Sequence, residues 1–94
     1  MNHEIAYGVL HAEMKALRVQ PYQNLEEMVG KNMYKEVISG EDGKPYQVEI
    51  DVMWDDERGG NLRVLGSVDD GGWRTFIPLT DDFIMGPNGE FVGE

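Results

Sequence analysis

The chain has 94 residues, enough for one hydrophobic core and not two, so residues 1–94 are expected to form a single domain. Its 18 Asp and Glu against 8 Lys and Arg give a formal charge of −10, which repels phosphate backbones and anionic lipid and argues against nucleic acid or a membrane as partner. The absence of cysteine removes disulfides, zinc-thiolate sites and thiol nucleophiles.

No run approaches the length of about 20 apolar residues that a spanning helix requires. The opening MNHEIAYG lacks the basic-then-apolar order of a secretory signal, so a cytoplasmic protein is expected. The acidity has two readings: it keeps a small protein soluble, or it draws in a basic protein partner.

Residues 2–19 carry the period of a helix. Ala6 or Tyr7, Leu10, Met14 and Leu17 form one apolar stripe, widened by Ile5, Val9, Ala12 and Ala16. Asn2 is placed to cap the start, Lys15 and Arg18 suit the negative end of the helix dipole, and Pro21 stops the run. A shorter helix is expected next, capped by Asn24, with Leu25, Met28 and Val29 facing the core and Gly30 near its end.

Four strands follow. The second, residues 45–55, shows strict alternation: Tyr46, Val48, Ile50, Val52 and Trp54 on one side, Gln47, Glu49, Asp51 and Met53 on the other. It is joined to a first strand, residues 34–39, through GEDGK, in which Asp42-Gly43 signals a hairpin. A three-residue loop sets Lys35 against Glu49 and Ile38 against Tyr46. A two-residue loop sets Val37 against Val48 but Glu36 against Glu49, so the first register is favoured.

The third strand, residues 61–69, places Leu62, Val64, Gly66 and Val68 inward. A two-residue turn at Asp70-Gly71 then sets Val68 against Trp73, Val64 against Ile77 and Leu62 against Leu79, with Leu65 and Phe76 paired on the opposite face. In the tail, GPNGE separates Phe83-Ile84-Met85 from Phe91-Val92, which suits a short C-terminal hairpin. The expected fold is α+β: one or two N-terminal helices on one face of a four-stranded antiparallel meander.

Few constellations carry chemistry. The pairs Asp55-Asp56 and Asp81-Asp82 would gather at one end of such a meander, where clustered carboxylates suit calcium or magnesium or acid–base work. DDERGG lacks the alternating ligand spacing of an EF-hand loop, and Asp belongs in turns for conformational reasons alone. His11 falls on the polar line of the first helix, no Ser sits in a nucleophile motif, and neither Gly-Gly pair precedes a helix and Lys. No cofactor is implied, and the expectation is that the protein is not an enzyme.

The outer sheet face offers Met53, Leu65 and Phe76 with Arg63 and Arg74 at the rim, which suits either cover by tail residues such as Phe83 or Phe91 or a modest interface. Three functions are therefore carried forward. The first is a non-catalytic interaction or accessory domain, with a homodimer through the Leu65/Phe76 face as one form. The second is an acidic inhibitor, of the immunity-protein kind, that masks a basic protein. The third is a divalent-metal binder or metal-assisted enzyme using Asp55, Asp56, Asp81 and Asp82.

Overall fold

The computed structural model describes residues 2–70 and 79–94. Two helices, α1 (His3–Arg18) and α2 (Tyr22–Glu26), precede four strands: β1 (Met33–Ile38), β2 (Pro45–Trp54), β3 (Leu62–Asp69) and β4 (Leu79–Met85). The strands pair antiparallel in chain order, giving the expected α+β meander with α1 laid across one face.

The Asn2 side chain caps α1, its Oδ1 accepting from the Ile5 N–H at 3.1 Å. Ala6, Leu10 and Met14 are the buried line of the helix, while Tyr7 stays on the surface. Below them lies Gly66 of β3. A Cβ at that position would come within 2.5 Å of Met14 Sδ and 3.0 Å of Leu10 Cδ1, so the missing side chain is what lets the helix settle onto the sheet.

The second helix differs from expectation. It starts at Tyr22 directly after Pro21, whose carbonyl accepts from the N–H groups of Asn24 and Leu25. Asn24 therefore lies inside the helix instead of capping it, and its amide donates to Gln20 Oε1 at 2.9 Å. Gly30, at φ 78°, turns the chain out of the helical region, and its N–H donates to the Val52 carbonyl at the margin of β2.

Two strand registers also differ. In the first hairpin Val37 faces Tyr46, Lys35 faces Val48 and Tyr34 faces Glu49, so neither expected pairing forms. The loop has four residues, 40–43, closed by the Ser39 N–H on the Lys44 carbonyl and by the Gly43 N–H on the Ser39 carbonyl. Gly43 takes the left-handed conformation at φ 68°. The Asp42 carboxylate locks the loop by accepting from the Lys44 N–H and the Tyr46 hydroxyl. Like charges still avoid each other, because Glu36 faces Gln47 and accepts a hydrogen bond from its amide.

In the third hairpin Val68 faces Leu79, Val64 faces Phe83 and Leu62 faces Met85. The described part of β4 starts at Leu79, and the expected partnership of Leu65 with Phe76 is replaced by Leu65 opposite Asp82. This register brings the two bulky side chains of Phe83 and Met85 under the helix, where both are buried. The expected positions of Trp73, Arg74, Phe76 and Ile77 lie outside the described residues. The short C-terminal hairpin forms as expected: Met85 bridges Phe91, and the Val92 N–H donates to the Ile84 carbonyl at 2.9 Å.

The core lies between α1 and the inward face of β2, β3 and β4. It contains Tyr46, Val48, Ile50, Val52, Leu62, Val64, Val68, Phe83 and Met85, with Leu25 of α2 closing one end.

Candidate functional site

Because α1 is seated over Gly66 of β3, it does not reach across to β1. A cleft opens along that side. Its larger part, about 420 Å³, has Val48 and Ile50 as floor, Ala16 and Leu17 of the helix as one wall, and Met33 and Lys35 of β1 as the other. A second part of about 310 Å³ continues along the helix past Gly8, Val9 and Ala12 to Val37 and Ile38. Between the two, Lys35 Nζ reaches across to Glu13 Oε1 at 3.1 Å. The helix flank along the cleft is smooth, with Gly8, Ala12 and Ala16 all on the surface.

The outer wall of the cleft is a sheet edge. Backbone groups in an antiparallel pair alternate between facing the partner and facing away. Ser39 points its N–H at the Lys44 carbonyl, so Val37, Lys35 and Met33 also face β2, and Ile38, Glu36 and Tyr34 face away. Pro45, which has no N–H to give, falls opposite Ile38 in one of these outward-facing pairs, where none is needed. Among the described residues no strand pairs with this edge.

Side chains there are exposed to match. Tyr34 is 72% exposed, Ile38 59% and Met33 47%, on a strand where only Val37 is even half-buried. Alternation sends Met33, Lys35 and Val37 toward the cleft and Tyr34, Glu36 and Ile38 toward the outer face. Three large apolar side chains on one unpaired edge form the kind of surface that native proteins ordinarily blunt or cover.

The outer face behind the edge is acidic. Glu36, Glu49 and Asp51 stand on it together, and among the described residues no Lys or Arg pairs with any of them. The Asn32 amide donates to both Glu49 (2.9 Å) and Asp51 (2.6 Å). The field is felt by the neighbouring phenol: a hydrogen bond to Glu49, then the negative charge of Glu49, holds the Tyr34 hydroxyl above its ordinary pKa.

The opposite edge is treated differently. On β4 the outward-facing Ile84 carbonyl is taken by the Val92 N–H. Phe91 packs edge-on against Phe83 with ring centroids 5.8 Å apart. Arg18 lies over both rings, at 5.0 and 4.7 Å from their centroids, and binds the Glu94 carboxylate at 2.6 Å.

Of the expected interface residues, Met53 is exposed on the outer face opposite Arg63, while Leu65 is half-buried in a row between Asp51 and Asp82. Phe76 and Arg74 lie outside the described residues. The expected gathering of carboxylates is partial. Arg63 pairs with Asp55 at 2.9 Å and also with Asp82, so a guanidinium sits between those two. Asp56 turns into its own loop to accept from the N–H groups of Glu57 and Asn61, the first of which does most to lower its pKa. Asp81 lies across from Gly66 on the other face. Among the described residues no group of three or more His, Cys, Asp or Glu is arranged to hold a metal ion.

The β1 edge was not singled out by sequence reasoning. Its one visible sign is the weak alternation of MYKEVI, in which Lys35 occupies a cleft-facing position and Tyr34 and Ile38 fall on the wet face. Compared with known proteins, the chain matches no family model, no curated protein and no solved structure.

Proposed function

We propose that the protein is a non-catalytic interaction domain that engages another macromolecule along the flank formed by α1 and β1. The observation that carries this reading is the unpaired β1 edge, with Met33, Tyr34 and Ile38 exposed beside an apolar-floored cleft. Main-chain hydrogen bonds along a sheet edge supply affinity, and pockets for alternate side chains supply selectivity. The cleft provides such pockets on one side of the edge. The acidic balance favours a basic partner, as in an inhibitor that masks a basic protein, and speeds encounter with it.

The test is site-specific photo-crosslinking in the cells that make the protein. A benzophenone amino acid replaces Tyr34 or Ile38 on the edge, or Tyr7, which is exposed on α1 and 48% accessible, as the control. A discrete adduct at positions 34 and 38 and none at 7 is expected. Adducts at all three positions alike, or at 7 alone, would refute the assignment of the face.

A further inference from the structure

We propose that the occupant of the β1 edge is an extended segment of a different protein, alternating apolar and basic residues, that adds as a fifth strand beside β1. The proposal rests on the docking face described above and adds the chemistry of what docks there.

A second copy of this chain is a poor fit for the edge. A symmetric antiparallel pair keeps both helices on one side of the joined sheet, so residues that face each other across the axis must lie on the same face. The two registers that pair most of β1 with itself are centred on Lys35, spanning 33–37, or on Glu36, spanning 34–38. The first sets Lys35 against its own copy and the second sets Glu36 against its own copy. Like charges directly opposite each other destabilise a strand pair, and each chain carries a formal charge of −10 besides. Self-pairing is therefore opposed at both short and long range.

A cationic strand meets the reverse situation. The backbone groups of Tyr34, Glu36 and Ile38 point outward, so these three form the hydrogen-bonded positions of an added strand. Side chains of the added strand opposite them share the outer face. A Lys or Arg there meets the Glu36 carboxylate directly and lies beside the exposed Tyr34 ring, with Glu49 and Asp51 behind. The intervening side chains turn the other way, next to Met33, Lys35 and Val37, below the smooth flank of Gly8, Ala12 and Ala16. Apolar residues suit that side. The one charge there, Lys35, has Glu13 as its partner across the cleft and needs no carboxylate from the added strand, while its exposed ammonium still disfavours a second Lys opposite it.

Two capped octapeptides test this, one alternating Val and Lys, the other Val and Glu, each titrated into the full chain while amide hydrogen exchange is followed by NMR. The Val/Lys peptide is expected to slow exchange at the amides of Tyr34, Glu36 and Ile38 and to leave Thr80 and Asp82, on the opposite edge, unchanged. Its affinity should fall by about tenfold in Glu36→Lys, and it should also fall with added salt. If the Val/Glu peptide protects the same three amides as well as the Val/Lys peptide does, the basic character of the partner is overturned while the docking face stands. If neither peptide protects them at millimolar concentration, both fall. If they are already protected in the free protein and it sediments as a dimer, the occupant is a second copy and the proposal is wrong.

Discussion

The seating of α1 on β3 decides where the cleft opens, and one glycine decides the seating. Gly66 has nothing unusual in its backbone, so Gly66→Ala asks only whether a methyl group fits. It would enter 2.5 Å from Met14 Sδ, 3.0 Å from Leu10 Cδ1 and 3.2 Å from Ile50 Cδ1, all closer than ordinary carbon contacts. Overpacking of this kind costs about 1–3 kcal/mol. Replacing glycine in a strand returns roughly 0.5–1 kcal/mol of chain entropy. The net expectation is a loss of about 1–2 kcal/mol, and in a chain of this size each kcal/mol lowers Tm by about 4–8 °C. Met14→Ala alone costs about 2–5 kcal/mol but removes the atom in the way. The double variant should therefore be more stable than the sum of the two losses by about 1 kcal/mol or more. Urea denaturation followed by far-ultraviolet circular dichroism measures all four proteins, with sulfate present so that the weakest still folds. Additivity within about 0.5 kcal/mol, or a Gly66→Ala protein more stable than the parent, would mean that the helix does not rest there.

Leu10→Ala empties a fully buried position at the centre of the same contact and is expected to cost about 2–5 kcal/mol, read as a lower urea midpoint at unchanged slope. Tyr46 donates to Asp42 at 2.7 Å, and that bond, followed by burial, pushes its pKa from 10.0 up to about 12. The unfolded chain then loses this proton first, so stability falls as pH rises between those two values, and Tyr46→Phe should flatten that part of the thermal-stability profile. On the acid side Asp42 is held below its usual pKa, first by the Lys44 N–H and then by Tyr46. Its contribution is present above the ordinary carboxylate range and is lost as pH drops through the folded value, a decline that Tyr46→Phe should reduce without removing. Arg18→Gln releases Glu94 and both phenylalanine rings; global stability should fall by about 1 kcal/mol or less, while the Val92 amide exchanges markedly faster.

Local periodicity was enough to read α1 and β2, because each has one buried face repeated over ten or more residues and a clear stop. The choice between Ala6 and Tyr7 at the start of the helical stripe was left open by spacing; the helix turns Ala6 inward in line with Leu10 and Met14 and leaves Tyr7 exposed. Hairpin register was harder. LRVLGSV presents the same inward residues to any partner of matching parity, and the shortest turn, Asp70-Gly71, offered one acceptable match. The observed register instead sets Leu79, Phe83 and Met85 against Val68, Val64 and Leu62, with Phe83 and Met85 buried under the helix. The Asp pairs were expected to meet at one end, but Asp81 and Asp82 fall mid-strand opposite Gly66 and Leu65, and Arg63 lies between Asp55 and Asp82; an interleaved cation is invisible to a count of Asp pairs. That β1 is left uncovered was not legible in the sequence: whether an edge strand is covered depends on where a helix comes to rest, which here turns on contacts between residues 10, 14 and 66.

The two margins of the sheet are managed by opposite means. On β4 the chain returns to cover its own edge, with a main-chain hydrogen bond at Ile84, two aromatic rings packed edge-to-face and an arginine clamp. On β1 there is no such cover among the described residues, and the device present instead is a single inward-facing charge, Lys35. An inward charge discourages casual pairing of an apolar strand. Here it is answered within the chain by Glu13, so its cost is met without closing the cleft. Lys35 at the centre of the edge and Glu36 beside it then act as a sign test on any approaching strand. An identical strand fails that test in the registers centred on Lys35 and on Glu36, whereas one with a basic residue opposite Glu36 and an apolar one opposite Lys35 passes it. That selectivity is what separates an edge kept open for a partner from one merely exposed.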